Sequence, residues 1–229
     1  MSTSGGATWK EIDKTMDDGY ALAHGSFYAV GCMLDAATQS RKMVIYKSVD
    51  DGKTWKKNTL GDKEGYLKAI AVHPSDKNIL LAGGQCTVRD GIQSKLYKST
   101  NAGETWNEIL AMEISKNSIT ALQYDPLKPE RVLAATRTGL FLSEDGASSW
   151  SKAKENIAVT SLVADAKKPG RFFAGTPKGV LASEDGGKSW SEMNKGLTVK
   201  SVLCLEFDSK NSILYAGTSN GGVMRMNLK

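Results

Sequence analysis

The side chains best placed for chemistry are carboxylates set among glycines and hydroxyls at a fixed spacing. Ser48-Val49-Asp50-Asp51-Gly52-Lys53-Thr54-Trp55 recurs as Ser99-Thr100-Asn101-Ala102-Gly103-Glu104-Thr105-Trp106, Ser143-Glu144-Asp145-Gly146-Ala147-Ser148-Ser149-Trp150 and Ser183-Glu184-Asp185-Gly186-Gly187-Lys188-Ser189-Trp190. Residues 2–9, ending at Trp9, form a degenerate fifth copy. An acid beside glycines could hold a cation or move a proton, but the copies themselves argue for a turn. Asn101 and Ser4 stand in the Asp place, and Ala147 stands in the Gly place. A metal-binding or catalytic carboxylate does not tolerate such exchange, whereas a turn accepts it at modest cost. A short carboxylate can instead accept the turn's own N–H groups, glycine takes positive φ, and tryptophan covers the blade edge. Asp50, Asn101, Asp145 and Asp185 are therefore assigned to structure, with Trp9, Trp55, Trp106, Trp150 and Trp190.

No other constellation amounts to an active site. A glycosidase needs two carboxylates facing each other across a cleft. Glu206 is the main acid inside an innermost strand, and its equivalents are Gln123, Val163 and Ala71. His73 aligns with the turn residues Asp125, Asp165 and Asp208, and His24 takes the corresponding place in the first repeat. Phosphate loops, metal-ligand clusters and a Ser-His-Asp order are not evident. The expectation is a protein without cofactor or metal, leaning away from an enzyme.

The elements that position these residues follow from aligning the repeats on tryptophan. Trp9, Trp55, Trp106, Trp150 and Trp190 lie 46, 51, 44 and 40 residues apart, the range for one propeller blade per repeat. The third repeat divides into strand-like segments 119–124, 131–136, 139–143 and 149–153, and the fourth into 159–164, 171–176, 179–183 and 189–193. Ordered from the centre outwards, these are strands A, B, C and D. Short strands between Asp, Pro, Gly and Asn turns make an all-β protein. The last repeat has A, B and C at 202–207, 213–218 and 222–226 but no D, and residues 2–12 supply a turn and a strand. The expected fold is a five-bladed β-propeller of four-stranded antiparallel blades. It forms one domain over residues 1–229, with blades at about 18–60, 65–111, 117–155, 158–195 and 199–229 plus 2–12. The N-terminal strand closes the ring and covers an exposed sheet edge.

The phrase S-x-D-x-G-x-[T/S]-W resembles the Asp-box, or bacterial neuraminidase repeat. Whole units, such as residues 121–126 followed by Ala134-Ala135-Thr136 and residues 139–143, resemble sortilin-like and photosystem II assembly-factor-like propellers. A sialidase-like fold is thereby implied. A sialidase itself would carry three substrate-gripping arginines, one in an Arg-Ile-Pro-like segment, with a Tyr/Glu pair and an acid/base Asp. The six arginines here, Arg41, Arg89, Arg131, Arg137, Arg171 and Arg225, do not form that set.

In a propeller the D–A and B–C connections gather around one mouth of the central channel. Two B–C connections, 35–42 and 87–94, read as long polar loops, and lengthening on one face marks an interaction surface. The candidate ligand-binding residues on that face are Tyr66, Lys68, Arg89, Asp90, Arg137, Lys178, Lys200 and Asn220, with Thr120, Thr160 and Ser201 at the mouth. This set leans positive. The expected role is non-catalytic binding or scaffolding, with an acidic protein segment or an anionic saccharide as partner. A carbohydrate-active protein, lectin-like or related to glycoside hydrolases, is the alternative.

The net charge of +5 admits nucleic acid, but the 30 basic residues are mostly scattered lysines, which argues against it. Cys32, Cys86 and Cys204 lie in apolar runs without metal spacing and read as buried free thiols. No apolar run is long enough to span a bilayer, and a monomer is expected. The sequence as written reads as cytoplasmic, or as secreted or periplasmic if a leader has been removed.

Overall fold

The computed structural model describes residues 16–23, 27–109, 114 and 117–228, with residues 16–23, 62 and 63 described through the backbone alone. The repeats appear as antiparallel strands. β1 (Met16–Ala23), β2 (Phe27–Asp35), β3 (Ser40–Ser48), β4 (Lys56–Val72), β5 (Leu80–Val88), β6 (Gly91–Ser99) and β7 (Asn107–Glu108) pair in that order as one seven-stranded sheet. That sheet is two four-stranded units joined through β4. Residues 56–60 pair with β3, whereas residues 65–72 pair with β5.

The next sheet consists of β8 (Ile119–Tyr124), β9 (Val132–Thr136), β10 (Gly139–Ser143) and β11 (Ser151–Glu155). It is followed by β12 (Ser161–Ala164), β13 (Phe172–Thr176), β14 (Gly179–Ser183) and β15 (Ser191–Glu192). A three-stranded sheet of β16 (Val202–Asp208), β17 (Ile213–Thr218) and β18 (Gly222–Asn227) ends the described chain. The expected A, B and C segments hold to within two residues, but the D strands begin two residues late. The reason is local, because Ser149 and Ser189 are still bonded to the turn carboxylate. The expected pairing of residues 2–12 lies outside the described residues.

The core is built between neighbouring sheets. Tyr28, Val30 and Ile45 of the first unit pack with Leu67, Leu80 and Tyr97 of the second. Corresponding layers unite Leu81 and Leu96 with Ile119 and Phe141, then Leu133 and Leu140 with Leu162 and Phe172, then Phe173 and Val180 with Val202 and Leu214. B strands are small because they meet the next unit's innermost strand. A Cβ on Gly83 would lie 2.7 Å from Ile119 Cγ2, and one on Gly175 would lie 2.8 Å from Val202 Cγ1. Burying aliphatic side chains such as Leu133 and Phe172 favours folding by about 1.5–3 kcal/mol each.

Candidate binding face

Hydrogen bonds separate the structure into two ends. At one, A–B turns meet the repeated phrases of their own unit: Ala102 N donates to Asn78 O, Gly146 N to Glu130 O and Gly186 N to Gly170 O. At the other, B–C turns meet the approach to strand A. Thr138 Oγ1 lies 2.7 Å from Asn117 Oδ1, and Ser219 N donates to Ser201 O.

The phrase end is internally satisfied. Asp185 Oδ1 accepts from Ser189 N at 2.9 Å, Lys188 N at 3.1 Å and Ser183 Oγ at 2.9 Å, and its Oδ2 accepts from Ser189 Oγ at 2.6 Å. Asp50 and Asp145 repeat the pattern. The hydroxyl of Thr54, Ser149 or Ser189, and then the same residue's N–H, holds each carboxyl at about 2, below the ordinary 3.8. Asn101 does the same work without charge, accepting from Thr105 N and donating Nδ2 to Thr105 Oγ1. The fifth position has positive φ in all four described copies, Ala147 included at 72°. Trp55, Trp106 and Trp190 each donate Nε1 to the carbonyl at that position, at 3.0, 3.1 and 2.8 Å. Trp150, in the copy with Ala147, keeps a buried Nε1 without a partner.

The same end ties units together. Asp125 is buried, caps its own turn through Leu127 N and Lys128 N, pairs with Arg131, and accepts Gly170 N of the next unit at 2.9 Å. Arg131 and Arg171 occupy equivalent places, bonding Asp125 and Glu144, and Asp165 and Glu184. Glu104 receives Lys47 and Lys56 from the first unit. His73 replaces the turn Asp in the second unit, and its Nδ1 accepts Asp76 N at 3.1 Å. Its ring meets Tyr124 edge-on, 5.2 Å between centroids.

At the opposite end the supposed long loops are extended hairpins. β5 and β6 continue their ladder to Val88↔Gly91, leaving only Arg89 and Asp90 in the turn. β2 and β3 pair as far as Asp35↔Ser40, and Asp35 caps the turn through Ala37 N and Thr38 N. These strands are nine residues long, against five for β9 and β10. Four extra residues at about 3.3 Å each raise both hairpins roughly 13 Å above their neighbours. Alternating polar residues had disguised them as loops. In the shorter units Thr136, Thr176 and Thr218 brace the turn by donating Oγ1 to the carbonyl of Gly139, Gly179 or Gly222. The Thr of the Ala-x-Thr signature is thus a turn brace, a role beyond its small volume.

A cavity of about 1140 Å³ lies among the innermost strands of the second to fifth units. Lys68 lines it, and Lys68 Nζ sits 4.8 Å from the centroid of the half-buried Tyr66 ring. Thr120 and Thr160 line it too. Arg89, Asp90, Arg137, Lys178, Lys200 and Asn220 are exposed at the same end but outside the cavity lining. Three lining residues escaped sequence reasoning: Leu203, 55% exposed, Cys204 and Lys77. Cys204 is exposed, correcting the expectation of a buried thiol, whereas Cys32 and Cys86 are buried. A bulge in β16 between Val202 and Cys204 breaks the alternation on which that expectation rested. Of the two acids in the lining, Asp76 caps Asn78 N and Glu206 stands exposed on β16. Among the described residues no three His, Cys, Asp or Glu side chains gather to hold a metal ion, and no helix is long and apolar enough to cross a membrane.

Four-stranded antiparallel sheets, packed face to face with their innermost strands about a common cavity, define a β-propeller. The chain belongs to the Sortilin-Vps10 family, whose model, described as sortilin, neurotensin receptor 3, matches residues 1–137. It is 33% identical over 104 residues to vacuolar protein sorting/targeting protein 10 of Candida dubliniensis, covering 44% of this chain and 6% of that protein. Among solved structures, YCF48 bound to D1 peptide superposes with a TM-score of 0.65 at 13% identity, over 93% of this chain and 64% of that one. An ancestral GH74 enzyme superposes with a TM-score of 0.62 at 21% identity, over 91% of this chain and 28% of that one. At such identities the structural likeness speaks of the fold alone, and this chain spans a small part of the curated relative.

Proposed function

We propose that this chain is a non-catalytic protein-binding module, built as a closed five-bladed ring, that recognises an acidic protein segment at the hairpin end of its cavity. The observation that carries the reading is the division of labour between the two ends. The repeated carboxylates at the phrase end are consumed by their own turns and by links between units. The other end raises two hairpins and presents Lys68, Arg89, Arg137, Lys178 and Lys200 around the cavity. Clustered positive charge steers and orients acidic partners. A relative named for protein sorting and a fold neighbour bound to a peptide agree with a protein partner.

Five-bladed closure rests on register. In each unit with a described D strand, the residue after Trp pairs with the residue before the phrase's first Ser: Lys56↔Lys47, Asn107↔Lys98, Ser151↔Leu142 and Ser191↔Ala182. Leu214↔Met226 occupies the place of Phe172↔Ser183, so the rule sets Lys10 opposite Arg225.

A labelled Asp/Glu-rich peptide, titrated by fluorescence anisotropy, tests the binding. Replacing Lys68, Arg89 and Arg137 together by Glu, with the circular dichroism unchanged, is expected to abolish the signal. Undiminished affinity in that variant refutes the proposal.

A further inference from the structure

We infer that one bulged position, repeated in the innermost strands, sets which ligand the cavity accepts, with Lys68 reading an anionic group and Leu203 an aliphatic side chain. The inference rests on the protein-binding reading above and narrows it to particular residues.

The register isolates the position. β4, β8 and β16 each break their ladder to the B strand at a single residue, between Leu67 and Ala69, Ile119 and Ala121, and Val202 and Cys204. The skipped residues are Lys68, Thr120 and Leu203, each five before its A–B turn residue His73, Asp125 or Asp208. Thr160 holds the same place before Asp165, immediately ahead of β12. In the first unit the backbone of β1 skips Tyr20, between Gly19 and Ala21. A bulge leaves one residue out of the ladder and re-aims its side chain, and a bulge recurring at one register is a designed feature. Lys68, Thr120, Thr160 and Leu203 all line the cavity.

Their chemistry divides them. Thr120 Oγ1 donates to Val159 O at 2.7 Å, and Thr160 Oγ1 donates to Val202 O and Gly175 O at 2.9 Å each, so both hydroxyls fasten their strand to its neighbours. Lys68 instead extends an ammonium over Tyr66, and Leu203 is more than half exposed beside the cavity. A large aliphatic side chain held in water next to a cation matches a segment that brings an apolar group and a carboxylate together. The ligand class is therefore a linear peptide that combines an acidic residue with an aliphatic one.

An array of short synthetic peptides, pairing Asp, Glu, Lys or Arg with Leu, Ile, Phe or Asn at varied spacing, tests this with the purified full chain. The wild type is expected to select acidic-plus-aliphatic peptides. Lys68→Glu should turn the charge preference to basic peptides while keeping the aliphatic one, and lower binding of the best acidic peptide roughly tenfold or more. Leu203→Asn should keep the acidic preference and lose the aliphatic one, again by roughly tenfold. Because Leu203 is exposed, that variant is expected to melt as the wild type does. Lys188→Glu, at the phrase end, should change nothing. If the wild type selects acidic peptides but neither cavity variant alters the preference, the bulge assignment is overturned and the binding reading stands. If the wild type shows no acidic selection, both fall.

Discussion

Asp125 is fully buried, and its two oxygens receive Leu127 N, Lys128 N, Arg131 Nη1 and, from the next unit, Gly170 N. Asp125→Ala leaves the Arg131 guanidinium, whose side chain is 12% exposed, without its nearest partner, a loss that costs about 3–5 kcal/mol for a buried pair. The orphaned amide of Gly170, itself buried, adds about 1–3 kcal/mol, though neighbouring losses do not sum. A total near 4 kcal/mol is a large share of the roughly 5–15 kcal/mol that separates folded from unfolded domains. At about 2–4 °C per kcal/mol for a chain of this size, the melting temperature should fall by roughly 10 °C. Asp208 is the control, since its bonds stay within its own turn, to Asn211 N and Nδ2. Urea unfolding followed by tryptophan fluorescence measures both. The reasoning fails if Asp125→Ala lies within about 1 kcal/mol of wild type, or if Asp208→Ala is as harmful.

Three further outcomes can be checked. Trp190→Phe should lose the 2.8 Å bond to Gly187 O and about 1 kcal/mol, whereas Trp150→Phe removes an unpartnered buried N–H and should cost less; equal midpoints contradict the assignment. Asp50, Asp145 and Asp185 have folded values of about 2, below the ordinary 3.8, so their stabilisation is complete above pH 4 and fades as pH falls through 2. Replacing all three by Asn, as nature has done at Asn101, should flatten the fall in urea midpoint between pH 4 and 2, and an unchanged slope would count against it. In a Cys204→Ser background, Lys10→Cys with Arg225→Cys should form an intramolecular disulfide on mild oxidation, visible on a non-reducing gel; its absence, with Lys10→Cys and Val223→Cys cross-linking instead, refutes the register.

The architecture was legible because each unit carries its own punctuation. The phrase marks the end of strand C, and the Asp or His before each A–B turn marks the end of strand A. Residues 139–143, 179–183 and 213–218 were placed without error for that reason. The cavity was less legible. Lys68, Thr120 and Thr160 could be assigned to the mouth from their place near strand starts, but Leu203 reads as core when β16 is taken as simple alternation. A bulge has no residue signature of its own, and only counting back five residues from His73, Asp125, Asp165 and Asp208 would have found it. The projecting hairpins were hidden because both faces of their tips meet solvent, so no apolar alternation survives in residues 87–94.

The most direct test of peptide binding at the hairpin end is hydrogen–deuterium exchange of the full chain with and without a saturating Asp/Glu-rich peptide. Protection is expected in residues 65–72 and 202–208 and at the hairpin tips 35–41 and 87–92, with the phrases 48–55, 143–150 and 183–190 unchanged. Protection centred on those phrases, with the innermost strands unaffected, would contradict it.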